Sequence, residues 1–233
     1  MTNRAIRILK PFVFVLALLP FIVLVRRFQT GDLGADPVQW ITHFTGNWTI
    51  YLLLVSLAVT PVRRLTPKLA WLVRFRRMLG LFTFFYATLH LLTYIFLFSG
   101  FDLTGALASL RAHDGGAVRQ QWLAVWPTLV DDVKKRRFIQ VGLASYVILL
   151  ALALSSPQWV MRQMGGKPWQ RLHRLVYLAA FLGIVHYWWL VKKGVMAPAK
   201  DTVVLLLLLL ARPAYRLLAR KSARASASVR VSA

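Results

Sequence analysis

Six apolar runs, at about 9–25, 49–62, 78–98, 138–154, 172–190 and 203–218, constrain this chain more than any other feature of its sequence. Each approaches the length of helix, about 20 residues, that crosses the hydrocarbon of a bilayer. Backbone N–H and C=O groups in lipid have no water to pair with, so each run is expected to be a helix. The composition leaves little room for another reading. A chain of 233 residues that is 58% hydrophobic, with a mean hydropathy of +0.58, is not an ordinary soluble domain. The expected fold class is all-α: a polytopic membrane bundle of six transmembrane helices, forming a single domain over residues 1–218. The remaining 219–233, rich in Ser, Ala and Arg, read as a basic disordered tail.

Charge orients the bundle. Lys and Arg number 3 at the N-terminus (Arg4, Arg7 and Lys10), 6 over 63–77, 4 over 162–174 and 6 from Arg212 onward, which puts 19 of the 30 on one side of the membrane. The positive-inside rule makes that side cytoplasmic and places both termini there. All seven acidic residues, Asp32, Asp36, Asp102, Asp114, Asp131, Asp132 and Asp201, fall on the other side, and Glu is absent. A net charge of +23 suggests nucleic acid at first sight, but the cations sit beside apolar runs, where lipid head groups account for them. Nucleic acid is therefore not an expected partner, whereas membrane lipid is.

Arg4, Arg7 and Lys10 before an apolar run resemble a signal peptide, but no small-residue cleavage site follows, so a retained first helix is expected. With no cysteine, the chain cannot form a disulfide, an iron–sulfur cluster or a thioether haem attachment. No Gly-rich phosphate loop or dinucleotide fingerprint appears. Gly31, Gly34 and Pro37 punctuate the first outer loop ahead of the second helix; His43 is read as part of that loop at the outer interface, either in contact with solvent and head groups or near a cofactor edge or a partner, and Thr60-Pro61 is expected to end the second helix. The long outer segment 99–137 carries Trp122 and Trp126 four residues apart, expected as an amphipathic piece at head-group level.

The chemistry-bearing groups at membrane depth are histidines. His90 is three helical turns or more from its nearest charges, Arg77 and Asp102, and a buried ionisable residue in lipid usually faces a partner inside the bundle. The stretch 167–193 carries His173 near one end and His186 near the other. His90 lies 13 residues past Arg77, and His186 lies 12 past Arg174 on a helix running the same way, so the two share a depth toward the outer leaflet. Haem b needs two imidazoles on opposite faces of its ring, and facing helices supply them. His173 lies about 20 Å nearer the cytoplasm, and on an ideal helix roughly 140° around from His186. Either that helix is distorted or His173 serves a different, inner site, or it is simply interfacial. Arg76, Arg77, Arg171 and Arg174 surround that level, where they suit haem propionates, a flavin phosphate or a quinone oxygen; positive-inside bias explains them equally well. A zinc or copper site is disfavoured, because no carboxylate or thiolate shares the histidines' depth. No catalytic set for acid–base or nucleophilic chemistry is apparent.

The segments GDLGADPVQWITHFTG (31–46), TPVRR (60–64), RRMLGLFTFFYATLH (76–90) and WQRLHRLVYLAAFLGIVHYWW (169–189) resemble the MsrQ (YedZ) family of haem-binding membrane subunits. The likeness runs from about residue 19 to 215, and the region 106–128 departs from the family pattern by its length. More distantly, the chain is similar to the ferric-reductase-type transmembrane domain of NADPH oxidases and STEAP metalloreductases. The resemblance implies an electron-transfer subunit in the bacterial inner membrane. Electrons would come from the quinone pool or a flavin reductase, pass through haem b, and reach a periplasmic molybdopterin-containing methionine-sulfoxide reductase subunit that repairs oxidised proteins. It further implies haem-associated histidines at His90, His173 and His186, and FMN as a further cofactor with no residues assigned. The absence of an inner histidine on the third helix matches a STEAP-like arrangement, with one outer haem and a flavin or other carrier inward. Two alternatives stay open at this point: a generic transmembrane metalloreductase or oxidase, and a basic permease whose histidines relay protons.

Overall fold

The computed structural model describes residues 3–192, 194–211 and 213–215. The tail expected over 219–233 and the end of the sixth run lie outside them. Helix accounts for nearly all of the described chain, and no strand occurs among the described residues.

Helix α1 spans Asn3–Thr30 and buries only Ile6, Ala17, Pro20 and Leu24, so most of its apolar surface is left for lipid. Near Pro20, the hydroxyl of the fully buried Tyr86 enters its backbone ladder. The hydroxyl accepts from Phe21 N–H at 3.0 Å and donates to Ala17 C=O at 2.9 Å, linking two groups that an unbroken helix would join directly. Phe14 and Phe21 pack edge-on against Phe82 and Phe85, which seals α1 to the third helix.

Helix α2, Pro37–Leu65, begins earlier and ends later than its apolar run. Asp36 Oδ1 accepts from Gln39 N–H at 2.9 Å with Pro37 at the first helical position, an N-terminal signature that places His43 on the helix and not in a loop. Pro61 does not stop α2, contrary to expectation; it sits inside the helix, four residues before its end. In lipid the alternative to helix is unpaired backbone, so a proline that would end a helix in water is carried through. A 3₁₀ segment, Pro67–Arg74, then leads to α3, Arg76–Thr93, whose last turn widens into a π-turn over Tyr94–Phe98.

The long segment 99–137 is a helical hairpin. Helices α4, Leu103–Arg111, and α5, Gly115–Lys135, are capped by Asp102 and Asp114, and close over a small core of Phe101, Ala106, Val125 and Leu129. Trp122 packs into this core against Phe96 and Phe101, while Trp126 stays half-exposed. Helix α6 spans Arg137–Leu154 as expected.

The expected fifth run is divided. After α7, Gln158–Met164, helix α8, Gly166–His173, stops; Arg174 and Leu175 form a turn; and α9 resumes over Val176–Leu190. The last helix, α10, covers 199–211. Among the described residues four helices are long and apolar enough to cross a membrane: α1, α2, α3 with its π-turn, and α6. Helices α2, α3, α6 and α9 pack around a shared centre. Its core joins Leu53, Leu54 and Leu57 to Ala87, Leu149, Ala179, Ala180, Ile184 and Leu205. Ala179 and Ala180 let α9 approach α6 closely enough for Ser145 Oγ to donate to Ala179 C=O at 2.9 Å.

Candidate cofactor site

Two imidazoles face each other inside this four-helix centre, toward the end covered by α5. His90 projects from α3 and His186 from α9, with ring centroids 6.0 Å apart and ring planes crossed at 82°. Each is held by the same device. His90 Nδ1 lies 3.0 Å from the carbonyl oxygen of Thr42 on α2, and Gly46 follows four residues later; a Cβ there would sit 3.2 Å from His90 Cε1. His186 Nδ1 lies 2.7 Å from the carbonyl oxygen of Phe138 on α6, and Gly142 follows four residues later, where a Cβ would fall 2.6 Å from the same nitrogen. Glycine thus lets each ring lie against a neighbouring helix and reach a carbonyl in its preceding turn. A carbonyl only accepts, so Nδ1 carries the proton and Nε2 keeps its lone pair for a ligand. Fixing one ring nitrogen in this way orients the other toward a metal.

Between and around the rings is a cavity of about 630 Å³. Its walls are mostly apolar: Ile50, Ala87, Leu91, Leu143 and Leu149, with Tyr146 stacked on Phe84 and sharing a 3.3 Å hydrogen bond with Thr88. Trp126, Leu129 and Val133 of α5 close it from outside, and His43, Lys134 and Arg136 stand at that rim, with Arg136 paired to Asp132 at 2.8 Å. The dimensions fit a planar metal macrocycle. Two metal–nitrogen bonds of about 2 Å, with each ring centroid about 1 Å behind its nitrogen, require roughly 6 Å between centroids.

The structure brings His90 and His186 together and sets His173 apart. His173 closes α8, where Nε2 lies 3.1 Å from Ser155 Oγ and the ring stacks on Trp169 at 3.9 Å and 28°. Trp169 in turn donates Nε1–H to Ser155 C=O at 2.9 Å. One of the alternatives that rotation left open, a distortion of the helix, is present as the Arg174–Leu175 turn. Arg76 is the charged neighbour of His173 and is half-buried, reaching Thr60 Oγ1 at 3.5 Å, whereas Arg77, Arg171 and Arg174 are exposed. Reading the sequence missed Gly46 and Gly142, although an isolated glycine inside an apolar helical run is a signal of close approach. It also placed His43 in a loop, although His43 lines the cavity rim.

Comparison with known proteins identifies the family. Residues 45–184 match the family described as ferric reductase like transmembrane component. The protein-methionine-sulfoxide reductase heme-binding subunit MsrQ of Herminiimonas arsenicoxydans is 43% identical over 78% of this chain and 73% of its own length. The protein of that name in Ralstonia nicotianae is 42% identical over 80% and 75%. Its counterpart in Xanthomonas oryzae pv. oryzae is 39% identical over 97% of this chain and 95% of its own. With this identity sustained across most of its length, the chain belongs to the MsrQ family of ferric-reductase-like membrane proteins.

Proposed function

We propose that this protein is the electron-carrying, haem-binding subunit of a protein-methionine-sulfoxide reductase system in the bacterial inner membrane. One observation carries the reading: two imidazoles, each with Nδ1 bound to a helix carbonyl and Nε2 free, 6.0 Å apart across an apolar cavity. In this reading the chain is a single domain of six transmembrane helices with both termini cytoplasmic, α8 and α9 together completing the fifth passage and α10 the sixth.

His90 and His186 would hold one haem b through their Nε2 atoms, and His43 and Lys134 at the outer rim would suit its carboxylates. Haem bound there supplies a one-electron iron couple. The chain's own contribution is to orient both imidazoles, to exclude water with Leu91, Leu143 and Leu149, and to cap the outer edge with α5. Reduction of a sulfoxide to a thioether consumes two electrons and two protons and releases water. No group for that chemistry lies in this cavity, so the step is assigned to a periplasmic molybdopterin-containing partner.

Electrons enter from the opposite end, from a quinone or a flavin reductase. His173, stacked on Trp169 beside Arg76, marks the entry level. Arg77, Arg171 and Arg174, exposed at the same end, face that donor. FMN or a second haem belongs at this inner position.

The test is cofactor analysis of the purified protein. A low-spin, reducible haem b spectrum is expected, lost in His90→Ala and in His186→Ala and kept in His173→Ala. Full haem occupancy in His90→Ala overturns the ligand assignment, and colourless protein with proton-coupled uptake establishes the permease instead. Haem-to-protein and flavin-to-protein ratios identify the inner occupant.

A further inference from the structure

We propose that the C-terminal end of α2 carries a binding site for a phosphate ester anion, formed by Arg63, Arg64 and Arg76 around Thr60, whose natural occupant is the head group of an anionic phospholipid. Thr60, Arg63 and Arg64 are spaced three and four residues apart, so they share one turn of the helix. Arg76 Nη1 donates to Thr60 Oγ1 at 3.5 Å, which brings a third guanidinium to that turn. Arg63 Nε and Arg64 Nη1 are buried and have no hydrogen-bond partner among the described residues. The carbonyls of the last helical turn, ordinary partners for arginine at a helix C-terminus, therefore do not satisfy these two nitrogens. The Arg64 guanidinium also lies over the Tyr215 ring, 5.7 Å from its centroid, so the site is flanked by α2 on one side and residues 213–215 on the other.

Burying a cationic donor with no acceptor is unfavourable, and removing one of its possible partners leaves the full desolvation cost in place. This chain has no acidic side chain to offer at this end. All seven aspartates lie at the opposite end of the bundle, with Asp32 and Asp36 ahead of α2 and the others in the hairpin, in α5 or at the start of α10, and there is no glutamate. The three ion pairs among the described residues, Arg27–Asp32, Lys135–Asp131 and Arg136–Asp132, are at that end as well. The counter-ion must come from outside the chain. Positive-inside bias accounts for the number of cations here; it does not account for buried, unpaired guanidinium nitrogens. Forked guanidinium donors match phosphate oxygens, and basic pockets at the ends of membrane helices are a known setting for phosphate head groups. The site is remote from the paired imidazoles, so its failure would leave the haem reading untouched.

The experiment uses the full chain in nanodiscs of phosphatidylcholine alone or with phosphatidylglycerol, followed by native mass spectrometry and thermal unfolding. Wild type is expected to retain one phosphatidylglycerol in preference to phosphatidylcholine and to unfold at higher temperature when it is present. Arg63→Gln/Arg64→Gln is expected to lose that retention by tenfold or more, Arg63→Lys/Arg64→Lys to lose less, and Arg111→Gln/Arg119→Gln on the outer hairpin to lose none. In the second arm inorganic phosphate is added. Displacement of the lipid together with stabilisation in phosphatidylcholine alone identifies a soluble phosphate ester as the occupant; lipid retained against phosphate identifies the head group. Equal retention of both lipids by wild type with no response to phosphate overturns the proposal, and this comparison stands even where the glutamine variant does not fold. Undiminished retention in a folded glutamine variant overturns it as well.

Discussion

The closest approach in the site lies between a backbone and an imidazole, so its sharpest test is a single methyl group. Gly142→Ala places a Cβ 2.6 Å from His186 Nδ1 and 2.9 Å from its Cε1. Ordinary non-bonded contact begins at about 3.5 Å, so ring and helix must part by nearly 1 Å. That separation breaks the 2.7 Å bond from Nδ1 to Phe138 C=O, which sets the tautomer and aims Nε2. Loss of such an orienting bond costs about 10–100-fold in metal affinity, which corresponds to about 1.4–2.8 kcal/mol. Gly46→Ala is milder, because its Cβ would lie 3.2 Å from His90 Cε1 and a shift of a few tenths of an ångström relieves it. Its loss is expected to stay below about tenfold. Haemin titration of the apoprotein in detergent, followed at the Soret band, measures both. Without haem the His186 ring is free to turn away, and alanine is the better helix former by about 1 kcal/mol, so the apoprotein's thermal midpoint should hold. Wild-type haem affinity and spectrum in Gly142→Ala, or an equal loss in Gly46→Ala, refutes the reasoning.

Three further predictions follow from particular contacts. The ring planes of His90 and His186 cross at 82°, so the two π-type iron orbitals should be nearly degenerate and the ferric protein should give a strongly anisotropic low-spin electron paramagnetic resonance signal; a rhombic signal typical of parallel ligand planes refutes this. Tyr86→Phe removes the hydroxyl that joins Phe21 N–H to Ala17 C=O inside α1, and should destabilise the protein by about 1–3 kcal/mol, read as a fall in thermal midpoint of about 2–4 °C per kcal/mol. On the hairpin of α4 and α5, Gly105 N–H and the Thr104 hydroxyl hold the Asp102 carboxyl below its usual value. A depressed folded-state value means that the cap's contribution is present above the unfolded value and is lost as pH falls through the folded one. Amide exchange at Gly105, corrected for intrinsic rates, should therefore accelerate on acidification, and Asp102→Asn should abolish the dependence.

How much of this was legible in the sequence differs residue by residue. His90 and His186 could be paired by counting residues from Arg77 and Arg174, because position along a helix is a count multiplied by a fixed rise. The same count set His173 apart and required either a distortion or a second site; the turn at Arg174–Leu175 supplies the distortion. The start of α2 was legible in principle from Asp36-Pro37, but those residues read equally well as a turn. Pro61 misled, because the rule that proline ends a helix is learned where water can satisfy the freed carbonyl. The hairpin of α4 and α5 was hidden by weak amphipathic patterns whose partners, Phe96 with Trp122 and Phe101 with Trp122, meet only across the folded segment.

The sequence alone therefore determined the solvent of this protein, the helical state of its backbone, the depth of its histidines and the segregation of its acids to one end. All four are one-dimensional properties, written in run length, residue counts and charge order. Only the tertiary structure decided which carbonyl each imidazole meets, how closely α2 and α6 approach them through Gly46 and Gly142, and which arginines are buried. Those depend on helix rotation and interhelical distance, which are set jointly by every side chain in the contact and by no single stretch of chain.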